Sequence, residues 1–385
     1  MDYSFLSPVS NILIDDIRVS HFQTIGRKIL LHTVDHKPSL NKVDLAIIGV
    51  AESRNSIDHI DQTHNLNEIR KCFYSLFPGN WLCKIADLGD VISGDKAEDT
   101  YRCVITIISN LLKDNIIPII IGGSQDITYA NYRAYDNIKP MINIVNVDKS
   151  FDLGDSSKPI TNLSYVGKVI LEKPYNLFNY TSIGFQTYFN SQEEIDLMEK
   201  LYFEYERLGD ISYDIKNVEP AMRDADLVTL DLNSIKSSEV SDNQKFSPNG
   251  FNGKEICAIS RYAGISNKVS SFGIYEYKAS VNDEATTMLI SQMIWYFIEG
   301  YNCRVKDDNF NNPAEFNKYT VLVQDQELIF YKSLKTSRWW VQTPLISNLN
   351  NKNNNLSLLA CMQSDYDTAV KGNIPNRWYK AYKKN

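Results

Sequence analysis

The chain has 385 residues, 43% hydrophobic and 23% charged, long enough for one large α/β core plus an added module. Its formal net charge of −7 weighs against a nucleic-acid or anionic-membrane partner. The six cysteines (Cys72, Cys83, Cys103, Cys257, Cys303, Cys361) show no CxxC or CxxH spacing, so reduced thiols are expected rather than a disulfide framework or a zinc site. With no signal-peptide pattern and no apolar run of membrane-spanning length, the expectation is a cytoplasmic chain without membrane insertion.

In chain order, residues 1–43 read as an N-terminal extension of weak periodicity. From Asp44 to about Gly300, short apolar runs alternate with longer amphipathic ones, the pattern of βαβ units. The expected strands are Asp44–Val50, Lys84–Leu88, Ile116–Ile121, Met141–Val147, Ser182–Phe185, Asp226–Leu232 and Val269–Tyr275. Several are Ile/Val-rich without alternation, as strands covered on both faces require. The expected helices are Leu66–Leu76, Ala97–Lys113, Glu193–Leu208, Gly253–Ala263 and Asp283–Glu299. Asp95-Lys96-Ala97-Glu98 offers an N-cap and an acidic first turn to the second of these. From 301 to 385 the pattern changes to an appended C-terminal module. Tyr319–Val323 and Glu327–Tyr331 read as strands around a polar turn, then Arg338-Trp339-Trp340-Val341, an Asn-rich loop over 347–355 and a mixed segment over 366–384.

Three strand ends carry the chemistry: Gly122-Gly123-Ser124-Gln125, Asp148-Lys149-Ser150-Phe151-Asp152 and Asp231-Leu232-Asn233. They resemble, in order, the GGDH, DAHxD and DxD motifs of the ureohydrolase superfamily (arginase, agmatinase, formimidoylglutamase), which bind two manganese ions. Asp44–Val50, Asn67–Arg70, Ile85–Asp90, Ser247–Phe251, Ile274–Tyr277 and Glu284–Thr287 extend the resemblance over 44–300. It implies a three-layer αβα sandwich around a mainly parallel sheet, in a family whose members often form trimers or hexamers, so a homo-oligomer is open. Carried over residue by residue, Gln125 and Ser150 replace ligand histidines, Asn233 replaces a ligand aspartate, and Asp148, Asp152 and Asp231 remain. Glu276 matches the glutamate that holds the substrate's guanidinium or amidine. The proton-shuttling histidine has no counterpart, since all five histidines precede residue 65.

A two-metal hydrolase needs a dense ring of carboxylates and imidazoles to hold its ions and lower the pKa of a bridging water. The replacements argue against a manganese pair, and no cofactor is expected. An all-oxygen set still leaves room for one hard cation such as Mg or Ca. Without a metal, converging carboxylates repel, and Lys149 and Lys236 are the candidates to compensate them by salt bridging. Each feature also has a plainer use: Gly122-Gly123 as a tight turn, Asp148 and Asp152 as strand-end and cap residues, Glu276 as a buried partner of a lysine. Arg338, Trp339 and Trp340 form a candidate partner surface, although two aromatics closing a small core is the commoner arrangement. The leading expectation is a catalytically inactive, pseudoenzyme form of the fold that acts through a protein partner or as a scaffold. A divergent ureohydrolase acting on a guanidino or formimino substrate with one metal or none, and a non-catalytic sensor of a guanidino compound, stand beside it.

Overall fold

The computed structural model describes residues 2–57, 66–155, 157–240, 247–278, 283–344 and 357–384. Among them, ten strands form one sheet: β1 (Leu6–Ser7), β2 (Leu30–Leu31), β3 (Leu45–Val50), β4 (Ile85–Val91), β5 (Ile117–Gly122), β6 (Ile142–Val147), β7 (Leu177–Phe185), β8 (Glu204–Arg207), β9 (Leu227–Asp231) and β10 (Ser271–Tyr275). Their order is β1-β4-β3-β5-β10-β9-β6-β7-β8, with β2 also on the edge of β4, and every pairing but β1–β4 is parallel. Residues 1–43 thus do more than precede the core, because β1 and β2 cover the outer edge of β4.

The unbroken apolar runs follow from burial on both faces. Successive residues of a strand point to opposite sides. Ile119, Ile121, Val145, Val147, Leu230 and Ile274 therefore enter one apolar layer, with Phe73 of α2 (Asn67–Ser75), Ile256 and Ile259 of α9 (Gly253–Ile265), and Ile294 and Phe297 of α10 (Glu284–Asn302). Ile48, Ile120, Ile144 and Leu227 enter the other, with Val104 and Leu111 of α3 (Ala97–Lys113), Ile127 of α4 (Ile127–Arg133) and Val166 of α5 (Tyr165–Leu171). The result is the expected three-layer sandwich. Capping fixes helix starts: Asn252 Oδ1 accepts from Glu255 N at 3.0 Å while Glu255 Oε2 accepts from Asn252 N at 2.9 Å. At α3 it is Asp99, not Asp95, that accepts from the Lys96 amide, at 3.2 Å.

The expected helix Glu193–Leu208 is corrected. Helix α6 (Gln192–Lys200) ends where Tyr202 takes φ +52°, and β8 follows, pairing with β7. A left-handed residue breaks the helix, and Glu204–Arg207 then adds a strand at the sheet edge.

The C-terminal residues build a four-stranded antiparallel sheet from β11 (Phe316–Val323), β12 (Gln326–Ser333), β13 (Trp339–Thr343) and β14 (Ser357–Cys361), followed by α11 (Gln363–Val370) and α12 (Asn376–Lys384). The Asn-rich run 347–355 lies outside the described residues. Trp339 and Trp340 face opposite sides of β13 and are only 6% and 7% exposed, so a partner surface built on them is corrected. Trp339 packs with Val323, Phe330 and Trp378, and Trp340 with Phe316 and Tyr331. Helix α8 (Glu219–Asp224), after the short α7 (Leu208–Tyr213), docks this sheet. Arg223 donates to Trp339 O at 2.9 Å and Cys361 O at 3.0 Å, and its guanidinium carbon lies 4.2 Å from the Trp340 ring centre. Arg338 pairs with Glu219 at 3.0 Å and Arg377 with Asp224 at 3.1 Å.

Arg223→Ala leaves two buried carbonyls without donors and removes the stack on Trp340. It should destabilise the chain by about 3–5 kcal/mol. Urea unfolding measures the loss, and a change below about 1 kcal/mol would show that the module does not depend on this residue.

Candidate functional site

Four neighbouring strands, β5, β10, β9 and β6, end together. The register pairs Ile274 with Ile121 and Leu230, Leu230 with Val147, and Tyr275 with Asp231. The segments that follow, 123–125, 276–278, 231–233 and 148–152, therefore meet at one carboxyl-terminal edge, where open α/β sheets bind ligands.

The glycine pair is a packing requirement. A Cβ on Gly123 would lie 2.1 Å from Glu52 O, and one on Gly122 would lie 2.6 Å from the Tyr275 ring. The tight passage brings Gln125 into the interior, where its backbone N–H donates to Glu276 Oε1 at 2.8 Å. The Gln125 amide nitrogen is held by Thr229 Oγ1 (2.9 Å), Asn146 Oδ1 (3.2 Å) and the Tyr165 hydroxyl (3.3 Å). Its Oε1 is buried without a donor.

Asp148, Asp152 and Asp231 are buried, and carboxylate oxygens of the three lie within 4.8 Å of one another. Each has one oxygen tied locally. Asp148 Oδ1 accepts from the amides of Lys149 (2.5 Å) and Ser150 (3.3 Å), Asp152 Oδ1 from Ser150 Oγ (2.7 Å), and Asp231 Oδ1 from the Asn233 amide (2.5 Å). Asp148 Oδ2 and Asp152 Oδ2 are buried with no donor. Asp152 and Glu276 both hold left-handed backbone, φ +53° and +63°, a strained conformation for residues with side chains.

Burial drives the electrostatics. It lifts Asp148 and Asp231 well above the usual carboxylate range, with Asp152 and Asp148 respectively adding like charge. It lifts Asp152 to about 7, reinforced by Asp231, and Glu276 to about 8, again reinforced by Asp231. The expected compensation by Lys149 and Lys236 is corrected, because neither forms an ion pair with these carboxylates. Lys149 Nζ lies 4.9 Å from the Phe189 ring centre and acts on Asp148 and Asp231 only at a distance. Lys236 stands past the site, its amide bonded to Phe251 O at 3.0 Å. Lys278, two residues beyond Glu276, is the cation that acts on both Asp231 and Glu276.

The sequence reading also missed Asn162, whose Nδ2 donates to Glu276 Oε1 at 3.3 Å and whose Oδ1 accepts from Ile57 N at 3.1 Å. No local signal marks it. Asn146 and Thr229, polar residues inside otherwise apolar strands, did carry one. A cavity of about 20 Å³, room for about one water, is lined by Lys149, Asn233, Ser237, Glu276, Lys278 and Thr286, among others. His59 and His64 lie outside the described residues.

The model of the Arginase family matches residues 43–299. The chain belongs to the arginase family. It is 26% identical over 214 residues to a formimidoylglutamase of Staphylococcus carnosus, covering 54% of this chain and 66% of that protein. It is 24% identical over 311 residues to one of Staphylococcus aureus, covering 74% and 94%. In fold it is similar to Trypanosoma cruzi formiminoglutamase with Mn2+2 (TM-score 0.65, 16% identity, 73% of this chain and 99% of that one) and to Bacillus subtilis formimidoylglutamase (TM-score 0.65, 18%, 77% and 100%). Among the described residues, no helix is long and apolar enough to cross a membrane.

Within this arginase-family site, the three converging carboxylates, two of them with an unpartnered buried oxygen, make a donor set that suits a hard cation.

The raised carboxyl pKa values set a pH dependence. Protons held by the folded site and released on unfolding stabilise the chain fully below about pH 4, and that stabilisation is lost as pH rises through the folded values near 7 and 8. Protein kept in chelator should therefore melt at lower temperature at pH 8 than at pH 5.5. Asp231→Asn should reduce the difference by removing one of the interacting charges. An identical pH profile for the variant would show that the carboxylates do not interact.

Proposed function

We propose that this chain is a divergent ureohydrolase that hydrolyses a C–N bond of a formimino or guanidino compound with the help of a single hard divalent cation. The observation that carries this reading is the convergence of Asp148, Asp152 and Asp231 in a buried space, with Asp148 Oδ2, Asp152 Oδ2 and Gln125 Oε1 left without donors. A buried acceptor without a partner costs about 1–3 kcal/mol, and a cation offsets that cost for several at once. Asp148, Asp152, Asp231 and the Gln125 amide oxygen would hold the ion. When bound, it supplies a Lewis acid that lowers the pKa of a coordinated water.

The remaining roles fall to the chain's own groups. Glu276 takes both of its hydrogen bonds, from Gln125 N and Asn162 Nδ2, on Oε1. Oε2 is left to accept from an amidinium or guanidinium, and the cationic substrate would favour the ionised form of Glu276. The strained left-handed backbone at Glu276 and Asp152 supports a site held for function. The sequence likeness to formimidoylglutamases supports the substrate class.

A second reading, a catalytically inactive cytoplasmic protein that works through a protein partner, is favoured by one observation. Ser150, where the family motif carries histidine, ties up an Asp152 oxygen at 2.7 Å. The same experiment separates the two. Protein purified without chelator is analysed for bound metal, then assayed with formimidoylglutamate, agmatine and arginine in the presence of Mg2+ or Mn2+. The expected result is one equivalent of cation and slow turnover of one of these compounds. Asp148→Asn or Asp231→Asn should weaken the cation by at least about 100-fold. Glu276→Gln should lower kcat/KM by about 100-fold, the worth of a hydrogen bond to a charged group, with the cation still bound. Absence of both cation binding and turnover would overturn the hydrolase reading in favour of the inactive one.

A further inference from the structure

A second, larger cavity lies away from the carboxylates, at the β4 edge of the sheet. Its volume is about 300 Å³, the lower end of the range for small-molecule sites. Ile25, Ile29 and Leu30 line it from the N-terminal segment, Trp81 from the stretch between α2 and β4, and Ile85 from β4 itself. The walls are therefore mainly aliphatic and aromatic.

Lys28, Lys84 and Asn41 break the apolar lining. Lys28 and Lys84 lie on it, both exposed, and neither pairs with a carboxylate among the described residues. The indole of Trp81 packs against Trp295 with ring centres 5.5 Å apart and its Nε1–H is enclosed, so the ring rather than the N–H lines the cavity. Two cations around one apolar cavity complement an anion with an apolar body. The acidic group beside them is already committed: Asp44 accepts from the Lys84 amide at 2.7 Å and from the Tyr301 hydroxyl at 3.3 Å. The Cys83 thiol on the same wall accepts from Asn302 Nδ2 at 3.1 Å, and burial pushes it up to about 11, so it stays neutral and contributes packing rather than reactivity.

We propose that this cavity binds a small amphipathic monocarboxylate. Its hydrocarbon tail lies against Ile25, Ile29, Ile85 and the face of Trp81. Its carboxylate pairs with Lys28 and Lys84. The site is independent of the carboxylate cluster, and its test does not depend on turnover.

The full chain, labelled with 5-fluorotryptophan, is titrated separately with hexanoate, hexylamine and hexan-1-ol and followed by fluorine NMR, with Trp81→Phe assigning the Trp81 resonance. Hexanoate should shift that resonance saturably, and hexylamine should not. Lys28→Glu combined with Lys84→Glu, both on exposed side chains, should weaken hexanoate at least tenfold while leaving the melting temperature unchanged. Equal affinity for all three probes, an unchanged affinity in the double variant, or no saturable change at Trp81 would each overturn the proposal.

Discussion

The parallel register of β5, β10, β9 and β6 brings several acidic side chains to one buried edge, and the cost of keeping them there governs the rest of the site. Two full charges 4.8 Å apart, the limit on the separation of the Asp148, Asp152 and Asp231 oxygens, repel by roughly 3 kcal/mol at an effective dielectric of 20. Three such pairs add to an energy comparable with the whole stability of a typical domain, about 5–15 kcal/mol. The carboxylates cannot all be ionised in the folded chain without a counter-charge. Protons or a cation must supply it, because no lysine or arginine among the described residues forms an ion pair with them. The local donors, the amides of Lys149, Ser150 and Asn233 and the Ser150 hydroxyl, satisfy one oxygen of each carboxylate and leave Asp148 Oδ2 and Asp152 Oδ2 buried without a donor.

The central strands were legible because burial on both faces leaves a run of Ile and Val that nothing else explains. Helix α3 was legible to the residue, since its amphipathic pattern starts beside a cap and stops at Lys113. The helix expected over 193–208 failed because its pattern runs on past the real end. Only Leu201, the left-handed Tyr202 and Phe203 separate α6 from β8, and no glycine marks the turn. The tryptophan pair shows a failure that geometry corrects. Adjacent residues in a strand point to opposite faces, so Trp339 and Trp340 cannot form one patch once β13 is a strand. One closes the small core against α12, and the other meets Arg223.

At the site, the backbone positions of the carboxylates followed from the motifs, but their charge partners did not. Lys149 is adjacent to Asp148 in sequence, yet its ammonium lies over Phe189. Lys278 acts on Asp231 from another strand end, a relation set by the order β10-β9 and invisible in local spacing. Asn162, in the segment between β6 and α5, reaches Glu276 across 114 residues of chain.

Replacing imidazole by amide at Gln125 changes more than a ligand atom. The Gln125 amide is neutral across the working pH range, and Asn146, Thr229 and Tyr165 all draw on its nitrogen, so its oxygen is the end left for a ligand. An imidazole at that position could itself take a proton and share the titration. Here the carboxyl groups are the site's acids. A cation must displace protons from groups such as Asp152 and Glu276, lifted to about 7 and 8, so proton competition stays strong through neutral pH. The same burial that makes three orphaned oxygens attractive to a cation raises the affinity of the carboxyls for protons. Occupancy of the site is therefore coupled to pH by its depth in the fold, and a shallower site with the same residues would lose that coupling.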